Sequence, residues 1–319
     1  MRFLKVILAA GLLFVLPALV HAAEPAQPHT AMASAAEGHN GPPVTPAAPT
    51  LYELPLPGTD FKLPITNAMV YTWIIALLIF VIIRLGTRKL KEIPSGLQNG
   101  IEAALEGLED LTKGLLEPKV ANWCFPLCAT FFIFIVLSNL MGLLPGVGSL
   151  GWGHRVEHSV LPFALEHADT PLLRPPTADA NTTVALAAIF FIMSMYWALK
   201  YHGPLGLIKH IFGVKGGMKG AILIPLTLIF IFIGVIEVVS ILIRPVALAM
   251  RLYGNIYGGE SVLTIMLTKA WGLAAVPFYF LELMVAVVQA LVFTLLSIAF
   301  IGTLCSHMEE EGAGHKHGH

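Results

Sequence analysis

Long uncharged apolar runs constrain this chain more than any other feature, because a helix needs about 20 apolar residues to cross a hydrocarbon layer about 30 Å thick. Leu63–Ile83, Val120–Gly153, Thr182–Leu199 and Leu283–Leu304 contain no Asp, Glu, Lys or Arg, and Ala221–Ile236 opens a fifth apolar segment that continues past Glu237. These runs predict an all-α integral membrane protein with five transmembrane helices, at approximately 65–85, 122–144, 182–200, 221–268 and 272–305. Composition agrees: 56% of the 319 residues are hydrophobic and 12% charged, against about 25% charged in a soluble domain. With 19 basic and 20 acidic residues there is no basic face for nucleic acid. The three cysteines cannot build a disulfide framework, and Cys124 and Cys128, four apart in an apolar run, read as small packing residues.

The ends of the chain read differently. Arg2 and Lys5 precede a short apolar run, Val6–Val20, that leads into Val20-His21-Ala22. This pattern predicts a signal peptide over residues 1–22, with an uncleaved signal anchor as the alternative. Residues 23–62 are rich in Pro and Ala and poor in large apolar side chains, so they are expected to form a flexible extracytoplasmic tail. Residues 308–319 form a cytoplasmic tail; its Gly-His-Lys-His-Gly-His end is read as solvated rather than metal-binding, and no cofactor is expected.

Lys and Arg between the spans set the orientation, because cytoplasmic loops carry the excess. Ten of them follow the first and third spans, against Lys62, Arg155, Arg174 and Lys269 on the other side. That places the N-terminus outside and the C-terminus inside. Between the first two spans, Leu97, Ile101, Leu105, Leu108, Leu111 and Leu115 share a helical face, Glu102, Glu106, Glu109 and Asp110 decorate the rest, and Ser95 with Gln98 suits a capping box. This predicts an amphipathic helix at the cytoplasmic surface, lying on headgroups or packing on a partner subunit. No internal repeat is present, which weakens a reading as a transporter built from two related halves.

Ionisable residues inside spans are costly and by default mark a pathway. They concentrate in the last third. Glu237, Arg244 and Arg251 are each seven residues apart, and seven steps of 100° return to within about 20° of the start, so they share a stripe. Glu260 lies nine residues beyond Arg251 and points to the other side of an unbroken helix, while Glu282 and Gln289 share a face of the last span. In depth, Glu237 is toward the cytoplasm, Arg251 near mid-membrane, and Glu260 and Glu282 toward the outside. Arginine stays protonated in any protein setting, so a fixed charge flanked by carboxylates reads as a barrier between two proton paths. An internal ion pair that only holds helices together is the competing reading. At 1.5 Å per residue, Ala221–Thr268 would be about 72 Å long, so it must tilt, lie partly in the plane, or break, with Pro245 the natural place for a kink.

The stretch Arg244-Pro-Val-Ala-Leu-Ala-Met-Arg-Leu-Tyr-Gly-Asn-Ile-Tyr-Gly-Gly-Glu260 closely resembles the signature of subunit a of the F-type ATP synthase membrane sector. Three further motifs agree in order: Ser138-Asn-Leu-Met-Gly-Leu-Leu-Pro145, Pro176-Thr-Ala-Asp-Ala-Asn-Thr-Thr183 and Gln289-Ala-Leu-Val-Phe-Thr-Leu-Leu296. The resemblance covers residues 63–307. It implies a stator subunit of a bacterial inner membrane whose last two helices form a long tilted hairpin against a ring of c subunits, with peripheral-stalk b subunits and lipid as further partners and H⁺ as the translocated ion. It also implies roles. Arg251 would separate two half-channels, Glu260, Glu282, Asn255 and Gln289 would form the outer one, and Glu237 the inner one. Asp179 and Asn181 would either line the outer entrance or cap the third span. Such a subunit is not itself an enzyme, and the chain has no phosphate-binding loop motif. An ion-coupled permease built on the same charges, or an assembly factor whose charges are structural, are the alternatives.

Overall fold

The structure, a computed structural model, describes residues 48, 50–55, 62–88, 96–144, 151–152, 170–171, 174–212, 223–269 and 275–305. The expected signal peptide, most of the N-terminal tail and the His-containing C-terminal tail lie outside these residues. The apolar runs fold as helices: α1 (Asn67–Gly86), α3 (Pro118–Gly142), α4 (Ala180–Phe212), α5 (Leu223–Lys269) and α6 (Ala275–Cys305), with α2 (Leu97–Leu115) between the first two. All except α2 are long and apolar enough to cross a membrane.

Residues at the end of the expected flexible tail correct that expectation. β1 (Thr50–Pro55) pairs antiparallel with β2 (Lys62–Thr66), and β2 runs directly into α1, whose N-cap Thr66 accepts a hydrogen bond from the Met69 N–H at 3.3 Å. The Pro/Ala bias that argues against a core does not prevent a two-stranded hairpin, which needs only backbone pairing. A second small pair, β3 (Gly151–Trp152) with β4 (Thr170–Pro171), lies between α3 and α4.

Hydrocarbon gives apolar helices no hydrophobic reason to associate, so their contacts rest on close packing and polar links. Helix α6 is the hub, packing against α2, α3, α4 and α5. Its buried Ala286 and Ala290 allow near approach, and Phe293 meets Phe131 of α3 edge-on at 5.9 Å between ring centres. Phe300 meets Phe190 of α4 at 5.6 Å. Asn139, buried on α3, supplies the polar link: its Nδ2 donates to the Ala286 carbonyl at 3.1 Å, and its Oδ1 accepts from the Thr177 hydroxyl at 2.8 Å. Thr177 belongs to a 3-10 turn, Pro176–Ala178, that leads into α4. One side chain therefore ties three elements together.

Two helices depart from expectation in instructive ways. Helix α5 runs unbroken for 47 residues through Pro245, so its length is not relieved by a break. In α4 the interruption falls at Gly203, whose φ of 73° lies where only glycine rests without strain, just before Pro204. Helix α2 forms as predicted, with Gly96 at its N-cap and Gln98 donating to Glu102 at 2.9 Å; Ser95 of the expected capping box lies outside the described residues. It packs partly on the chain itself, against α1, α3 and α6, burying Leu108 and Thr112 while Leu97, Leu111 and Leu115 stay exposed.

The Asn139 link generates a testable expectation. Asn139→Ala strands the Thr177 hydroxyl and removes a bond to α6, and should cost about 1–2 kcal/mol, read as a lowered unfolding midpoint in detergent. Ser138→Ala should be close to neutral, because the buried Ser138 hydroxyl has no hydrogen-bond partner among the described residues.

Candidate functional site

The charged residues of α5 sort by the face they occupy. The α5–α6 contacts run antiparallel: Arg244 pairs with Thr303 at 2.9 Å, Asn255 with Gln289 at 2.6 Å, and Gly259 lies against the Glu282 carboxyl. Arg244 is turned back onto α6, its guanidinium 5.2 Å from the Phe300 ring centre. Arg251, two turns on, is exposed and makes no hydrogen bond or ion pair among the described residues. Glu237 is half-buried, about 21 Å below Arg251 along the axis at 1.5 Å per residue.

Around Arg251 the helix surface mixes small side chains with Glu237, Arg244, Asn255 and Val262. Ser240, Ala247, Gly254 and Gly258 fall within about 60° of its direction at 100° per residue. A Cβ placed on Gly254 or Gly258 would meet no atom of this chain within 4 Å. Both glycines border the open cleft between α5 and α6. Elsewhere the hairpin exposes large apolar groups, including Val246, Met250, Phe280 and Met284.

Beside this face a cleft of about 400 Å³ opens between α5 and α6, lined by Gly254, Asn255, Gly258, Gly259, Phe278 and Glu282 among others. Glu282 and Gln289 are buried, at 5% and 4% exposure. Gly259 is required, because a Cβ there would fall on the Glu282 carboxyl. Asn255 donates Nδ2 to the Gln289 Oε1, leaving the buried Gln289 Nε2 with no hydrogen-bond partner among the described residues. A carboxyl, two amides and an open cleft thus form one continuous polar seam one turn above Arg251.

Glu260 points away from Arg251 and meets a residue that the sequence reading counted only as a loop charge. Arg174, 4% exposed, places its Nε 3.9 Å from Glu260 Oε2 and donates Nη2 to the Ala178 carbonyl at 3.3 Å. A signal for it exists in the sequence: it is a basic residue on the side that the charge tally leaves poor in them, directly before Pro175-Pro176, on the same side as two carboxylates without a counter-charge.

Asp179 has the capping geometry. Its Oδ2 accepts from the Thr182 N–H at 3.3 Å and the Thr182 hydroxyl at 3.0 Å, and its Oδ1 accepts from the Ala48 N–H at 3.3 Å. Both oxygens are engaged in starting α4 and holding the segment before β1. Asn181 lies half-buried in the first turn; neither residue lines the cleft. The structure therefore brings Asn255, Gln289 and Glu282 together, places Glu260 beside them against Arg174, and leaves Arg251 and Glu237 facing outward. No cluster of metal-binding side chains occurs among the described residues.

The profile of the ATP synthase A chain family matches residues 69–302. A protein named ATP synthase subunit a from Trichlorobacter lovleyi is 34% identical over 235 residues, 74% of this chain and 85% of the relative. A protein named ATP synthase subunit a 3 from Pelobacter propionicus is 35% identical over 74% of this chain and 86% of its own length. One named ATP synthase subunit a 1 from Syntrophotalea carbinolica is 36% identical over 72% and 82%.

The Arg174–Glu260 contact can be measured apart from any function. A double-mutant cycle with Arg174→Ala and Glu260→Ala, read from unfolding in detergent, should return a coupling of about 1–3 kcal/mol. A coupling near zero would mean that the two charges only lie near one another.

Proposed function

The chain belongs to the ATP synthase A chain family, and from that membership we propose that it is the proton-conducting stator subunit of a rotary F-type ATP synthase, with Arg251 dividing two half-channels. Family membership and five membrane-crossing helices make it a multi-pass subunit of the synthase membrane sector. The finer reading rests on one observation: Arg251 is exposed and makes no ion pair among the described residues, on a face where Ser240, Ala247, Gly254 and Gly258 are small.

A lone guanidinium facing lipid at mid-membrane costs about 3 kcal/mol on insertion scales and more in simulations. A partner that covers it with a carboxylate removes that cost. The small residues at 240, 247, 254 and 258 let such a partner's helix approach closely, as small residues do between membrane helices. A ring of c subunits carrying one acidic group per site satisfies both demands. Peripheral-stalk b subunits then complete the stator on other faces of the bundle.

The division of labour follows from charge. Protons from outside enter the cleft, pass the Glu282 carboxyl and the Asn255–Gln289 amides, and reach a ring carboxylate; Glu260, held beside Arg174, belongs to the same outer path. Glu237, on the inner side of Arg251, serves the exit. Each carboxyl accepts and releases a proton as its neighbour on the path does the reverse. Arg251 does neither, because its guanidinium does not deprotonate in a protein. It repels a proton that would cross directly and attracts the ring carboxylate once that group has lost its proton. The ring must then turn to connect the two paths, and each transferred charge gains about 2.3 kcal/mol per 100 mV. The excess of Lys and Arg after the first and third spans supports an outside N-terminus and an inside C-terminus.

Two variants test the reading. Membrane vesicles carrying Arg251→Ala should contain assembled complex with ATP-driven proton pumping abolished and passive proton leak retained; survival of pumping would remove Arg251 from the mechanism. Ala247→Leu should leave the isolated chain as stable as the parent, since Ala247 is exposed on this face and does not line the cleft. It should abolish coupled pumping in the complex by holding the ring off α5, and normal pumping would contradict a close-packed partner on this face.

A further inference from the structure

Far from the cleft, three helix ends meet at the opposite membrane boundary: α3 begins, α4 turns at Gly203, and α6 ends. Helices α3 and α4 both pack along α6 but make little contact with each other. The groove left between them, about 390 Å³, is lined by Glu117, Lys119, Trp123, Lys200, Tyr201 and His202. Its depth follows from α4. Lys200 is 20 residues beyond Ala180, where α4 starts, a rise of about 30 Å and the thickness of the hydrocarbon layer. Lys200 therefore stands where acyl chains give way to headgroups.

The polar groups of the groove are not equivalent. Glu117 already accepts from the Tyr201 hydroxyl at 3.0 Å, and His202 Nε2 lies 2.9 Å from the Leu304 carbonyl. The two ammonium groups, from different helices, converge on one indole instead: Lys200 Nζ is 4.1 Å and Lys119 Nζ 5.9 Å from the Trp123 ring. Both lysines are exposed, and neither forms an ion pair among the described residues. Two lysines and one glutamate leave a net charge of about +1, which matches one phosphodiester and repels the extra ammonium of a zwitterionic headgroup.

An apolar track leads into this charge. Ile192, Tyr196 and Lys200 are four residues apart and so form one row on α4, with Ile192 56% and Tyr196 54% exposed. A free anion would use the lysines and ignore the row. A lipid would use both.

We propose that this groove binds an anionic phospholipid, its headgroup phosphate held between Lys119 and Lys200 beside Trp123 and one acyl chain lying along Ile192 and Tyr196. The site requires only that the helices span a membrane and is independent of the proton path.

The test uses the whole synthase complex carrying this chain, purified in detergent and offered equimolar phosphatidylglycerol and phosphatidylcholine of matched chains, with bound lipid counted by native mass spectrometry. The parent and Lys119→Arg/Lys200→Arg should retain phosphatidylglycerol selectively. Lys119→Gln/Lys200→Gln should bind it about thirtyfold more weakly, and Lys200→Gln alone about fivefold, which keeps the test alive if the double variant fails to assemble. Lys113→Gln, a lysine outside the groove that pairs with Glu109 at 3.0 Å, should change nothing. Undiminished retention in the Gln variants, or an equal loss from Lys113→Gln, would overturn the proposal. So would displacement of the lipid by millimolar inorganic phosphate, because the groove would then be a free-anion site.

Discussion

Hydrocarbon offers no water to a polar group, so each charge or amide placed between the headgroup layers must find its partner in protein. The whole bundle can be read from how that demand is met. Asn139 satisfies it by joining α3, α6 and the turn before α4. Asp179 does so by capping α4, and Arg174 by lying against Glu260. Asn255 and Gln289 meet it across the α5–α6 seam. Arg244 reaches back to Thr303. Arg251, on the same stripe of α5, has no such partner among the described residues, which is the demand that the proposed ring carboxylate would meet.

The parts legible in the sequence were those written in one dimension. Runs of uncharged residues marked the spans, because span length is set by bilayer thickness and not by neighbours. The spacing of Arg251 and Glu260 puts them on opposite sides of α5, because the helix runs unbroken through Gly254, Gly258 and Gly259 between them. What spacing could not reveal were contacts between distant segments. Arg174 counted only toward a charge tally, although it is buried beside a glutamate 86 positions away. Gly259 stands out in the sequence only as part of a motif, whereas in the fold it admits the Glu282 carboxyl. Asp179 supported an entrance and a cap equally until its hydrogen bonds were seen to belong to Thr182 and Ala48.

The hairpin strands and the amphipathic helix show the other limit. Composition reads residues 23–62 as having little to bury, and strand pairing of Thr50–Pro55 with Lys62–Thr66 needs backbone groups and not a core. In α2 the moment was plain but its owner was not: part of the apolar face serves the bundle, through Leu108, and part remains for something else.

The unbroken length of α5 has a geometric consequence. Its apolar part, Ile231–Met266, is 36 residues, about 54 Å, and fits within 30 Å of hydrocarbon only if its axis leans by roughly 56°. Climbing that helix through the membrane then also carries a point sideways by about 45 Å. Against a round partner, depth and azimuth become one coordinate: a site lower on α5 is also a site further round the circumference. If the two proposed half-channels open along such a partner, the slant of a single rod would offset them in angle, with no second structural device needed to stagger them.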